Sequence, residues 1–348
     1  MSPSRLLLPL LVLLVSGCSE LGYYAQATRG QMDILAARED ISELIADSDT
    51  PDALRQRLQL AQDIRSFAID SLALPDSEAY TSYTATGRKY VVWNVLAAPA
   101  YDLSLKTWCF PVAGCVAYKG FFTREAAVEL EQQLANEDYD TFLYGVSAYS
   151  TLGWFADPVL DTFIDYPDIA LASLLIHEMA HQVVYVKDDS SFNEAFATAV
   201  EQAGVREWIS ANATDVEARQ YLEKLERNNR ITEMILAFRE ELATAYTTTA
   251  DSELEQTKRE MFAELSDRYA GIVADQGGTR YYDWWFSQDL NNAHLSAVST
   301  YFRLVPAFTA ALESAGSYSA FYELVAEKAE LPREERDRWI EELLNKSG

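Results

Sequence analysis

Two of the chain's three histidines stand four residues apart in Ile176-His177-Glu178-Met179-Ala180-His181-Gln182. On a helix, positions i and i+4 share a face, so His177 and His181 present two imidazoles at the spacing that holds one metal ion. Glu178 stands beside them, placed to take a proton from a metal-bound water, the role of the carboxylate in an HExxH zinc hydrolase. The residues before it, from Ile169 to Ile176, are uncharged and mostly apolar. A buried helix that presents His, Glu and His within five residues must satisfy those polar groups, and a bound cation does so.

A catalytic zinc takes three protein ligands and keeps one position open for water. Asp188-Asp189-Ser190-Ser191 reads as a turn, after which a second helix runs from about Phe192 to Ser210. If it folds back antiparallel, His181 lies roughly 9 Å up the first helix and Glu194 about 5 Å up the second, a difference that a Glu side chain bridges. Glu201, two turns further on the same face, stands roughly 15 Å up, level with His177. Glu194 is the expected third ligand and Glu201 the expected acceptor for an imidazole N–H. Glu201 stays open as the ligand, because Ser191-x-x-Glu194 also spells a capping box that would engage Glu194 at the helix start. The longer pattern His-Glu-x-x-His-x-x-Gly-x-x-His is excluded, since Val184 and Lys187 occupy the positions of its Gly and last His.

The elements that must position these groups follow from periodicity and turn chemistry. Asp165-Tyr166-Pro167-Asp168 offers capping carboxylates and a first-turn proline for the metal helix. Upstream, Gln31 to Ala46 has apolar residues at helical spacing, and Thr50-Pro51-Asp52 starts another helix that reaches about Ile69. Aromatic and β-branched runs at Lys89 to Leu96, Val116 to Phe122 and Asp140 to Val146 read as strands, with a short helix over Thr123 to Leu134. Downstream, Asp215 to Tyr246 and Asp251 to Val273 read as a long helical hairpin. After Gln276-Gly277-Gly278 comes an aromatic cluster from Tyr281 to Phe286. A helix from Asn292 to Ser314 follows, with Pro306 as a kink or break, and Leu331-Pro332 introduces a terminal helix. The expected class is α+β, mostly helical, with a small mixed sheet preceding the metal helix.

The first residues read as a targeting segment: Arg5 supplies charge, Leu6 to Val15 is apolar, and Val15-Ser16-Gly17-Cys18 ends it with small residues. That run is too short to span a bilayer, which takes about 20 residues. The last four residues resemble a bacterial lipobox, which implies a signal peptide over 1–17 and lipid on Cys18. An ordinary signal peptide cleaved nearby is the alternative. By resemblance to other lipoproteins, Ser19 after the cysteine implies the periplasmic side of the outer membrane of a Gram-negative bacterium. In an oxidising periplasm the two remaining cysteines, Cys109 and Cys115, should pair as a disulfide. The formal charge of −26 makes nucleic acid an improbable partner and argues against electrostatic adhesion to anionic lipid.

His177-Glu178-Met179-Ala180-His181, with Asn193-Glu194-Ala195-Phe196-Ala197 and Glu201, resembles the gluzincin metallopeptidases, whose third zinc ligand is the Glu of an Asn-Glu pair. The chain is also similar to bacterial lipoproteins described as predicted aminopeptidases, through Gly22-Tyr23-Tyr24-Ala25-Gln26-Ala27, Phe110-Pro111-Val112-Ala113-Gly114-Cys115 and Val305-Pro306-Ala307-Phe308. These likenesses imply one zincin-like peptidase domain over 18–348: helices and a small sheet to 160, the metal-binding helix pair over 161–212, then a helical part over 213–348. They imply a zinc-dependent hydrolase of peptide bonds, an aminopeptidase held at the membrane by lipid, with peptides or proteins as substrates. By the gluzincin likeness Tyr301 stabilises the oxyanion, against a packed core tyrosine, and by likeness to zincin folds Ser150 to Trp154 is an edge strand for extended substrate, against a structural turn at Gly153. His294 is the spare imidazole. The His181 to Glu194 spacing is shorter than in the best-known gluzincins, which also keeps Glu201 open. No Gly-x-Met-Glu-Asn motif is present, so a zinc endopeptidase stays open, as does a non-catalytic, chaperone-like envelope lipoprotein with a structural zinc.

Overall fold

Turn chemistry and alternation confine the strands to the first half of the chain, so every strand among the described residues ends before residue 161. A computed structural model describes residues 21–111, 114–151, 153–275 and 282–347. The order opens with helix α1 (21–36), strand β1 (Glu39–Asp40), α2 (Ile41–Ala46) and α3 (Asp52–Asp70). Strands β2 (Ser82–Thr84), β3 (Val92–Pro99), β4 (Trp108–Phe110), β5 (Gly114–Val116) and β6 (Lys119–Phe121) precede α4 (Arg124–Asn136), β7 (Tyr139–Val146) and β8 (Val159–Leu160). All that follows is helical: α5 (Asp168–Ala180), α6 (Ser190–Asn212), α7 (Asp215–Thr248), α8 (Leu254–Asp275), α9 (Asp283–Phe286), α10 (Asn292–Phe302), α11 (Val305–Ala315), α12 (Tyr318–Ala329) and α13 (Arg333–Ser347).

The protein is α+β and mostly helical, with small sheets. One sheet is mixed, ordered β1-β2-β8 with β2 and β8 parallel. A second is antiparallel, ordered β6-β3-β7, and β4 with β5 makes a separate hairpin. Cys109 and Cys115 face each other across that hairpin and are joined by a disulfide. The largest core lies where α5 and α6 meet α3, α11 and α12, around Phe192, Phe196, Phe308 and Phe321. Each such ring buried from water contributes about 1.5–3 kcal/mol before entropy is charged. A second core under α7, α8 and α10 holds Phe238, Leu265 and Leu295.

Several boundaries differ from the sequence expectations, each for a local reason. The helix expected over Gln31 to Ala46 is two helices, because the Asp40 carboxylate accepts from the amides of Ser42 and Glu43 and starts α2 afresh. The strand expected to open at Lys89 begins at Val92, and the one over Val116 to Phe122 divides into β5 and β6. The helix from Asn292 to Ser314 breaks at Arg303–Leu304, and Pro306 sits in the first turn of α11, where its missing N–H costs nothing. Helix α12 was not expected. The proposed edge strand at Ser150 to Trp154 is a turn: the amide of Trp154 donates to Thr151 O at 3.0 Å, and Gly153 has φ +78°. The Thr151 hydroxyl and amide both donate to Asp157, which fixes the turn. The signal segment, Cys18 and Ser19, Val112-Ala113, Leu152, Gln276-Gly277-Gly278 and Tyr281 lie outside the described residues.

Candidate metal centre

Helix α5 starts without the expected side-chain cap, since its N-cap is Pro167 and no carboxylate accepts there. Asp168 instead pairs with Arg57 of α3, whose guanidinium also donates to the carbonyls of Ile164 and Tyr166. The entry to α5 is thereby clamped to α3. Along its length α5 packs tightly on α6 at Gly204, where a Cβ would come 2.5 Å from Leu72 Cδ1 and 3.3 Å from Ile176 Cγ2. A larger residue there would force the ends of those two side chains to shift.

The helix ends at Ala180, earlier than a continuous helix to the turn at Lys187 would require, and His181 is its C-cap. The connection is then held from α6. Asn193 accepts from the amide of Val186 at 2.7 Å and donates to its carbonyl at 2.8 Å. Asp189 caps α6 through the Phe192 amide at 3.2 Å and forms a buried ion pair with Arg336 of α13 at 2.7 Å. Because the cap is Asp189 and Ser191 lies inside the helix, the capping box expected at Ser191 does not form. Glu194 is released from that duty and points at the histidines.

His177 Nε2 lies 3.4 Å and His181 Nε2 3.7 Å from Glu194 Oε2. One donor atom from each of the three residues lies within 4.8 Å of the others, so His177, His181 and Glu194 could hold a metal ion. The two imidazoles stand nearly perpendicular, 84° between planes with centroids 4.9 Å apart. Glu201 is elsewhere on the ring: its Oε2 is 3.1 Å from His177 Nδ1, and its other oxygen accepts from the Ser173 hydroxyl. The level estimate from helix rise set Glu194 against His181 and Glu201 against His177; Glu201 does meet His177, while Glu194 Oε2 lies between the two rings and nearer His177. It is the ring nitrogens that separate their roles.

The local charges suit a cation. Burial raises the Glu194 carboxyl, but the charge of His181 and hydrogen bonds from both imidazoles outweigh it and hold the group down to about 2. Burial lowers the His177 imidazole, yet Glu194 and Glu201 on its two sides raise it well above its ordinary value. A site that would grip a proton so firmly between two carboxylates offers the same field to a metal. The Glu178 carboxyl is raised, chiefly by burial, the condition of a base poised above the ordinary carboxylate range.

These groups open on a cavity of about 730 Å³, lined also by Tyr301. Tyr301 is half-buried; its hydroxyl binds that of Tyr144, and desolvation, with Glu194 adding to it, raises its pKa. Among the described residues, Glu178 and Glu194 are the lining's only carboxylates, and neither Lys nor Arg lines it. Tyr118, Tyr144 and Asn94 also line it and were not singled out from sequence. A tyrosine among twenty carries no distinguishing local signal, and only the pairing of β3 with β6 and β7 brings these residues to the wall. A second cavity of about 710 Å³ lies on the Glu201 side and shares His177 and Tyr301 with the first. His294 lines neither cavity: its ring packs 4.1 Å from Phe142, its Nδ1 meets Asn291 Oδ1 at 2.9 Å, and burial lowers it to about 4. It is a core histidine.

A family model described as "Putative aminopeptidase" matches residues 22–340. No curated protein and no solved structure matches the chain.

Proposed function

The chain belongs to the aminopeptidase family whose model spans residues 22–340, and from that premise we propose that it is a zinc-dependent metallopeptidase with a zincin-like fold of the gluzincin kind, acting as an aminopeptidase. The observation that carries this reading is the convergence of His177, His181 and Glu194 on one point beside Glu178, inside one cavity. Two imidazoles and one carboxylate are a ligand set of catalytic zinc, which keeps a fourth position open. Zinc held by these three residues supplies Lewis-acid polarisation of water and of a peptide carbonyl.

The chain's own residues do the rest. Glu178 takes the proton from the attacking water and passes it to the leaving amine. The hydroxyl of Tyr301 donates to the oxygen on which negative charge develops. Glu201 accepts from His177 Nδ1 and so fixes the tautomer that leaves Nε2 free as a donor to metal. Tyrosine and phenylalanine rings line the cavity around these groups.

We further propose that residues 18–348 are one peptidase domain and that lipid on Cys18 holds it at the periplasmic face of the outer membrane, as the lipobox resemblance implies. Peptides or proteins are the substrates. Metal analysis together with a panel of peptides bearing free or blocked N-termini tests the function. One zinc per chain with turnover of free-amine peptides is the expected result. Zinc without turnover of any peptide would instead favour a structural site in a non-catalytic envelope lipoprotein, and equal cleavage of blocked peptides an endopeptidase.

A further inference from the structure

Aromatic rings wall the cavity beside the candidate metal group. Among the described residues eight tyrosines and two phenylalanines line it, whereas Glu178 and Glu194 are its only carboxylates and neither Lys nor Arg reaches it. The rings come from separate segments of the chain. Tyr23 is carried by α1 and Phe110 by the disulfide hairpin; both are half-buried, and their centroids lie 5.6 Å apart. Phe122, just past β6, meets Tyr149 at 6.0 Å, and the Tyr90 ring fills the space that a Cβ at Gly145 would take. These rings offer carbon more than polar groups, since the hydroxyl of Tyr149 is given to Gln31 and that of Tyr166 to Ser147. Tyr23 and Phe110 also belong to two of the three stretches that carry the family likeness in the sequence, and the fold brings them into contact.

Such a lining discriminates between side chains by their chemistry. With a divalent zinc bound, its two positive charges balance the ionised Glu178 and Glu194, so a charged side chain of either sign finds no spare counter-ion on the lining. Burying that charge unpaired is costly, and a cation laid over a tyrosine face recovers only part of the cost. An aromatic side chain gains in two ways: its area leaves water, and its ring packs offset or edge-to-face against the wall. A cavity of about 730 Å³ is within the range that holds a drug-sized ligand, which leaves room for the largest side chains. Resting on the aminopeptidase reading, we propose that the cavity selects peptides whose N-terminal residue is aromatic, with Tyr23 and Phe110 as specificity-determining walls. Leucine follows the aromatic residues in preference, and alanine, lysine and glutamate come after it.

The test uses zinc-loaded protein and matched peptides that differ only in the N-terminal residue, Phe, Trp, Leu, Ala, Lys or Glu, each with a free and an acetylated terminus. Wild type should cleave the Phe and Trp peptides at least about 100-fold better in kcat/KM than the Ala peptide, since one methylene in an apolar pocket is worth about 10–200-fold. Phe110→Ala and Tyr23→Ala should each lower the Phe-to-Ala ratio about tenfold or more, and Phe110→Tyr, which keeps the ring, should retain it. Circular dichroism checks folding, and either alanine variant decides the matter if the other does not fold. The same ratios, read as peptide binding to Glu178→Gln protein by calorimetry, decide the walls whether or not turnover is seen. A wild type that prefers Leu, Ala, Lys or Glu over Phe, or a Phe-to-Ala ratio that every folded alanine variant leaves unchanged, would overturn the proposal. Equal cleavage of acetylated peptides with the aromatic preference intact would overturn the aminopeptidase reading and leave Tyr23 and Phe110 in their role. Absence of cleavage by wild type would overturn the hydrolase reading, and the binding ratios would still decide the two rings.

Discussion

His177 is held from both sides: Glu201 Oε2 lies 3.1 Å from its Nδ1 while Glu194 Oε2 lies 3.4 Å from its Nε2. One carboxylate orients the ring and the other joins it as a candidate ligand. The two should therefore respond differently to substitution. Glu201→Gln keeps a hydrogen-bonding group and should weaken zinc binding by about 10–100-fold, the usual effect of an outer partner. Glu194→Ala should lose more than that. Competition with a metal chelator measures both, and a larger loss from Glu201→Gln would exchange the roles.

On the proposed mechanism Glu178 acts on the water and lies outside the His177, His181 and Glu194 group. Glu178→Gln should retain zinc at one per chain and lower kcat by about 10²–10⁴-fold, the range of a general base. Metal analysis with steady-state kinetics checks this, and full activity in the variant would remove Glu178 from the mechanism.

Tyr301 is expected to act only as charge develops. Tyr301→Phe should lower kcat by about 10²–10³-fold and leave KM within a few-fold, as when one oxyanion donor is removed. A loss confined to KM, or to thermal stability, would make it a wall of the cavity and nothing more.

Much of the candidate metal group of His177, His181 and Glu194 was legible in the sequence because its signals are local. The spacing of His177 and His181, the apolar run before them and the turn at Asp188 all lie within one helical hairpin. What was not legible depends on contacts between distant segments. Asn94 and Tyr144 reach the cavity through strand pairing, and the entry to α5 is set by Arg57 from 111 residues upstream of Asp168. The capping box at Ser191 was a true local pattern that Asp189 overrode, since the buried pair with Arg336 of α13 fixes Asp189 at the helix start. Helix-helix breaks such as Arg303–Leu304 showed only as Pro306, and proline marks a break without saying on which side it falls.

Asp157 supplies a pH signature of the fold. Burial is the largest influence on it and, against hydrogen bonds from Thr151, raises its carboxyl to about 6, with Glu178 adding to the rise. Between the ordinary value and about 6 the folded chain holds this proton and the unfolded chain does not. The group's contribution is thus most favourable below the ordinary value and is lost as pH rises through about 6, a swing of roughly 2–3 kcal/mol at most. Asp157→Asn should remove that swing, so thermal unfolding of variant against wild type should show the variant gaining between pH 4.5 and pH 7.5. An unchanged difference would place Asp157 in contact with water.

The most direct measurement is anomalous diffraction at the zinc edge from crystals of the zinc-loaded protein. One peak is expected about 2.0–2.2 Å from a nitrogen of His177, a nitrogen of His181 and a Glu194 oxygen, with Glu201 outside bonding distance. A peak bonded to Glu201 in place of Glu194, a fourth protein ligand closing the site, or no peak between the two histidines would contradict it.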